Sequence, residues 1–339
     1  MPTPRPLKLA LAGATGAVGR AVLETIEERD LPVETLRLFA SPRSAGSQLD
    51  FRGDELRVDA LADGAFAGLD AAIFATPATV SREWATRAWA AGCVAVDLSA
   101  AFRGDPDVPL VVPELNGDAA LAFEKKGIVA APGAPAAALA LALAPLHTAA
   151  GLERVSAVVL EPASGAGHAG VEQLEREAAD LMNGREPEGP GAVPHRLAFN
   201  LVPQVGAFEP SGSTDAEAGL AAELRRLLGA PGLQVSTTAV RVPVFYGTVA
   251  VVSLAFARHL APDAARAALR GAAGVKVLDA PGESVYPMPM LAVIDESAMV
   301  GRIRATGPRQ LELVVSADNL RRGAAANAVG IAGRIAASR

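Results

Sequence analysis

Cysteine is almost missing from this chain. The one residue present, Cys93, excludes an internal disulfide and a cysteine-rich metal centre. Histidine is nearly as scarce: His147, His168, His195 and His259 are scattered, with no spacing that would ligate a metal. An excess of positive charge is absent too. Lys and Arg total 31 against 37 Asp and Glu, and the net charge of −6 argues against nucleic acid as a partner. No long clean apolar run exists either. The uncharged stretch GIVAAPGAPAAALALALAPLHTAAGL is interrupted by Pro132, Pro135 and Pro145, and Ala136–Ala144 falls far short of the roughly 20 residues of a membrane span. A buried helix between Pro135 and Pro145 is expected instead. The opening MPTPRPLKLALAG has too short an apolar run for a signal peptide and no small-residue cleavage site. These absences leave a cytoplasmic protein with no metal, membrane or nucleic acid as the expectation.

What is present has the length and texture of two domains. LKLALAGATGAVGRAVLETIEERDL predicts a strand at Leu7–Ala12, a glycine turn, and a helix with Val18, Val22, Leu23 and Ile26 at helical spacing. Strands at Glu34–Ala40, Leu69–Pro77 and Cys93–Ser99, with a helix at Arg82–Ala91, continue the alternation. That alternation predicts a doubly wound α/β fold: a Rossmann-type parallel-sheet nucleotide-binding domain over residues 1–131, completed by a returning helix at about 319–339. Residues 132–318 read as an α+β domain with a large mixed sheet, suited to dimerisation and substrate binding. Its strands are expected at Arg154–Pro162, Gln234–Leu260, VKVLDA and QLELVVSA, its helices at Gly170–Met182, Thr214–Leu228 and Pro262–Ala273.

GATGAVG sets Gly13, Gly16 and Gly19 between the first strand and helix, with Thr15, Ala17 and Val18 among them. Glycines there allow a tight turn and let the backbone approach a pyrophosphate at a helix N-terminus. An NAD site would carry an acid at the end of the second strand; this chain has SPRSAG, offering Ser41, Arg43 and Ser44. A guanidinium with hydroxyls suits a ribose 2′-phosphate, which favours NADP, although the same loop could simply be solvated.

In combination, GATGAVG, SPRSAG, VDLSAAFRGDPDVPLVVPELN, NLVPQVGAFEPSGSTDAE, RVPVFYG, YPMP, VGRIR and DNLRRGAAANAV resemble the aspartate-semialdehyde dehydrogenases over almost the whole chain. The resemblance implies NADPH-dependent reductive dephosphorylation of β-aspartyl phosphate, with a cysteine nucleophile and a histidine acid–base partner. Both are replaced here. The cysteine position corresponds to Ala134, and the histidine seven residues after the substrate-binding arginine, Arg241, corresponds to Thr248. Glu161 stands for a glutamine, Gly219 for a lysine, Pro77 and Ala78 for paired glycines, and Gly330 for the glutamine facing the nicotinamide. Arg103, Asn116, Glu217, Asp318 and Asn327 match the family. This pattern resembles the Usg-type members, which lack the catalytic pair.

Substitutes for the lost pair are few. Cys93 begins a strand expected to be buried, and His168, in SGAGHAG, is the histidine nearest a site loop. Glu217 follows Thr214 by three residues, so helix capping competes with substrate binding as its role. Two functions are therefore expected: an NADP-binding homodimer without the dehydrogenase chemistry, which could also pair with an active paralogue; or an NADPH-dependent reductase without a covalent intermediate. In the second, Arg241 would hold a carbonyl, and Glu161 or His168 would protonate it.

Overall fold

The computed structural model describes residues 5–338 apart from 190 and 294. They fall into two units. The first runs to Gly133 and resumes at Gly323; the second spans Ala134–Arg322.

In the first unit, β1 (Leu7–Ala12) is central and almost wholly buried, which is why it reads as a continuous apolar run. α1 (Ala17–Glu28) buries Val22, Leu23 and Ile26, as their helical spacing predicts. β2 (Val33–Ala40), the hairpin β3 (Gln48–Phe51) and β4 (Asp54–Ala60), β5 (Ala71–Phe74), α2 (Ala78–Ala90), β6 (Val94–Asp97), the single turn α3 (Pro113–Asn116) and β7 (Ile128–Ala130) follow. The sheet order is β3-β4-β2-β1-β5-β6-β7, parallel throughout except for β3 against β4. Chain progression reverses at β1, with β2 on one side and β5 on the other. The sequence pattern did not announce the hairpin, because its two strands, at one edge of the sheet, are mostly exposed and about half polar.

The second unit opens with α4 (Ala134–Ala150), the helix of the uncharged stretch. It is apolar all round because it is packed all round, against the sheet and two neighbouring helices. Among the described residues no helix is long and apolar enough to cross a membrane. The expected stop at Pro145 is wrong: α4 continues to Ala150. Pro145 forfeits only its own N–H bond to the preceding turn, while buried Leu146 and Ala150 hold the last turn in place.

β8 (Leu152–Glu161), α5 (His168–Met182), α6 (Asp215–Leu227), β9 (Gln234–Arg241), β10 (Thr248–Phe256), α7 (Pro262–Arg270), β11 (Val275–Val277), α8 (Pro289–Ala292), β12 (Ala298–Gly307) and β13 (Gln310–Ala317) complete it. The expected strand region 234–260 is two strands, parted by a turn containing Pro243, which has no N–H for the ladder, and Gly247. The sheet, β11-β12-β13-β10-β8-β9, mixes parallel and antiparallel pairs. β10 alternates strictly: Thr248, Ala250, Val252, Leu254 and Phe256 are buried, whereas Val251 and Ser253 are exposed. Val251 lies opposite Val158 of β8, also exposed, and Val314 of β13. The chain closes with α9 (Ala326–Ala337), which returns to the first unit and packs on α1, β5 and β6. The architecture is thus the expected Rossmann-type parallel-sheet domain joined to an α+β domain on a mixed sheet.

Candidate functional site

The first unit gathers its candidate residues along the carboxyl edge of its parallel sheet. Ala12 pairs with Phe39 on one side and Phe74 on the other, so the turns after β1, β2 and β5 are neighbours. Gly13 has φ +85°, and a Cβ on it would lie 2.1 Å from the carbonyl oxygen of Ala75. Its N–H and that of Ala14 donate to the Phe39 carbonyl, at 2.8 and 3.0 Å. Gly19 is equally constrained: its Cβ would meet the Gly13 oxygen at 2.2 Å. Gly16 caps α1, whose first turn carries no acid, and Thr15, Ala17 and Val18 are only partly buried around it. Ser41, Arg43 and Ser44 form the turn directly after β2, with Ser41 and Arg43 exposed. This is a backbone cradle with a cation beside it, and it fits a phosphorylated dinucleotide.

Deeper on the same edge, Asp97 is buried at the end of β6. Ser99 donates to it through Oγ at 2.9 Å and through its N–H at 3.3 Å, and Ser81, itself 2.9 Å from Thr76 Oγ1, also reaches it. Burial pushes its carboxyl above the usual range, and these hydrogen bonds with nearby Arg103 pull the other way. Arg103 donates to the carbonyls of Leu98 (2.7 Å) and Ala131 (3.0 Å), bracing the loop between β6 and β7. Asn116 likewise closes its own turn, accepting from Val112 N and donating to Leu110 O. Asn327 is fully buried on α9. Gly330, on the same helix, lies against Pro113: an added Cβ would be 2.6 Å from Pro113 Cγ, so a longer residue there would displace α3.

In the second unit the candidates meet at the far ends of two strands. Glu161 and Arg241, the last residues of β8 and β9, are register partners. Arg241 Nη1 donates to the Pro162 carbonyl at 2.7 Å and lies 3.8 Å from Glu161 Oε2. Burial raises the Glu161 carboxyl and Arg241 partly offsets it; burial also lowers Arg241. Thr248 is buried at the start of β10, and its hydroxyl donates to Leu160 O at 3.2 Å. Ala134 is the first residue of α4, which packs on β10.

Glu217 does not present a free carboxylate. One oxygen accepts from Thr214 N and the other from Ala239 N, both at 2.8 Å, and Thr214 Oγ1 accepts from Glu217 N: a complete capping box that also ties α6 to β9. His168 sits on the first turn of α5 rather than in a loop, exposed and paired with Glu172 at 3.2 Å. Cys93 is buried. His147 Nδ1 accepts from Leu152 N at 2.9 Å, closing the turn after α4. Among the described residues no three His, Cys, Asp or Glu side chains are grouped to hold a metal.

The sequence reading missed two groups. Asn319 donates to Ser164 Oγ (3.0 Å) and accepts from Gly247 N (2.9 Å), fixing the loop after Glu161 against the turn before Thr248. Gly165 was passed over as a loop residue, yet a Cβ there would lie 2.2 Å from Arg241 Nη1. The Ser164-Gly165 pair, one residue beyond Glu161-Pro162, was the available signal.

Comparison with known proteins is consistent across both units. Residues 8–122 match the family model "Semialdehyde dehydrogenase, NAD binding domain", and residues 143–322 match "Semialdehyde dehydrogenase, dimerisation domain". An aspartate-semialdehyde dehydrogenase of Aquifex aeolicus is 40% identical over 328 residues, 96% of each chain. A USG-1 protein homolog of Azotobacter vinelandii is 38% identical, again over 96% of each. The structure of Vibrio cholerae aspartate semialdehyde dehydrogenase II complexed with ASA superposes with a TM-score of 0.94 at 34% identity, covering 97% of this chain and 98% of that one.

Proposed function

We propose that this chain, which belongs to the aspartate-semialdehyde dehydrogenase family, binds NADP and dimerises but does not carry out the phosphorylating dehydrogenase reaction. The observation that carries this reading is the pair of residues at the nucleophile and acid–base positions. Ala134 has no nucleophile, and the Thr248 hydroxyl is buried and committed to Leu160 O. A threonine has no pKa near 7 with which to move a proton in any case. Losing a nucleophile or its base costs about 10⁶ in turnover in a hydrolase of unrelated fold, and both are lost here.

NADP, rather than NAD, is favoured by Arg43 and Ser41 on the turn after β2, where an acid would be expected for a free 2′-hydroxyl. Gly13–Gly19 would hold the pyrophosphate, and a bound nicotinamide would supply hydride chemistry. The homodimer is supported by the dimerisation-domain match and by the exposed Val158 and Val251, in register with half-buried Val314, on the same face of the sheet. A cytoplasmic location goes with this reading, as does an active paralogue as a possible second partner. The covalent-free reductase is not favoured, since His168, one of its two proton donors, is solvent-exposed.

The test is NADP⁺ reduction with L-aspartate semialdehyde and phosphate at high protein concentration over hours. A flat trace, where an active family member turns over, is expected. Phosphate-dependent turnover above a heat-killed control would overturn the reading.

A further inference from the structure

Glu161 and Arg241 face each other at the last register position of β8 and β9, with side chains 13% and 7% exposed. A buried pair of this kind ordinarily closes into a short, often bidentate contact whose remaining lone pairs and protons are satisfied. This one does not. The separation is 3.8 Å, and the guanidinium spends its one hydrogen bond on the Pro162 carbonyl. Among the described residues the Glu161 carboxylate accepts no hydrogen bond, and Arg241 Nε and Nη2 donate none. A half-satisfied buried pair is costly, so a group that completes it is favoured. Gly165, itself exposed, packs directly against the pair and contributes no side chain to it: a Cβ there would fall 2.2 Å from Arg241 Nη1 and 3.0 Å from Glu161 Oε2.

We propose that the Glu161–Arg241 pair recognises a neutral head that accepts and donates side by side, a primary carboxamide, and that Glu161 sets the preference against a carboxylate. The proposal rests on the family reading only in placing a small-molecule ligand at this end of the sheet. The carboxamide oxygen accepts from Arg241 and its NH₂ donates to Glu161, so both half-satisfied groups are completed and the pair stays neutral overall. A carboxylate would satisfy Arg241 but bring a second negative charge against Glu161, where burial already disfavours the first.

Succinamide and succinate are near-isosteric probes with the same head at both ends. They would be titrated by ligand-observed NMR against the parent protein, Glu161→Gln and Gly165→Val, with NADPH binding followed separately by fluorescence. Succinamide is expected to bind the parent about tenfold more tightly than succinate, the scale of one mismatched charge-assisted hydrogen bond. Glu161→Gln should reverse the order, and Gly165→Val should weaken both. Succinate binding the parent as tightly as succinamide, neither probe binding, or an unchanged ratio in Glu161→Gln overturns the proposal. The parent ratio decides even if a variant fails to fold. Loss of NADPH binding would count against the proposed NADP binding while leaving this ratio untouched.

Discussion

The turn after β1 and the paired ends of β8 and β9 are two different kinds of site. The first is made of backbone. Gly13 and Gly19 matter for the side chains they lack, and the N–H groups that line the turn belong to every residue type. The second is made of side chains, and each can be replaced without moving the strand that carries it. Ala134 still starts α4, Thr248 still starts β10, and Glu161 still ends β8. On the function proposed above, the reaction is removed by a few substitutions at element ends, while the glycine turn, which is part of the fold itself, is kept.

Restoring a thiol alone tests that contrast at the second site. Ala134→Cys alone should leave the aspartate-semialdehyde assay flat, because the Thr248 hydroxyl is buried and offers no base. Measurable turnover from the single substitution would break the comparison by placing the acid–base role elsewhere.

The next effect belongs to the first site. Gly13→Ala combines a left-handed φ of +85° with a Cβ 2.1 Å from Ala75 O. It should abolish NADPH binding and lower unfolding stability by about 2–4 kcal/mol in chemical denaturation. Thr248→Val, at the other site, should leave NADPH affinity unchanged within experimental error and cost about 1 kcal/mol for one hydrogen bond. Equal losses of NADPH affinity in the two variants would erase the distinction drawn here.

Legibility in the sequence follows the same line. β1, α1 and the glycine turn were readable because apolar periodicity and glycine spacing are local signals, and β8, α6 and β13 came within a residue or two for the same reason. The β3–β4 hairpin was not, since an exposed edge strand carries little apolar pattern. At the candidate site, Ala134, Thr248, Glu161 and Arg241 could be named by resemblance, but their geometry could not. That Glu161 and Arg241 are register partners depends on a parallel pairing between segments some eighty residues apart. No local pattern encodes that pairing, nor the fact that Gly165 packs against the pair with no room for a side chain.

A smaller effect compares the two buried carboxyls. Burial raises both Asp97 and Glu161, but Asp97 is surrounded by hydroxyl and N–H donors whereas Glu161 has one guanidinium at 3.8 Å. For an acid raised in the folded state, the stabilising linkage is full below its unfolded value and is lost as pH rises through the folded one. The parent should therefore lose ground to Glu161→Gln as pH rises above the ordinary glutamate value of 4.5. Asp97→Asn should recover less over the same range, because the amide forfeits acceptor positions for Ser81 and Ser99. Paired urea melts at several pH values measure both, and opposite ordering would show that Glu161 is the better-solvated of the two.

The smallest effect concerns Glu217, a family-matched residue whose two carboxylate oxygens are already occupied. Thr214→Ala removes one side of the capping box and should cost about 1 kcal/mol, the usual worth of an N-cap hydroxyl. Glu217 would keep its bonds to Thr214 N and Ala239 N, so the joint between α6 and β9 should survive. Since that joint leads along β9 to Arg241, the succinamide-to-succinate ratio should not move in Thr214→Ala. A change in that ratio without a matching loss of stability would mean that Glu217 reaches the ligand after all, and the second site would then be larger than the pair of strand ends.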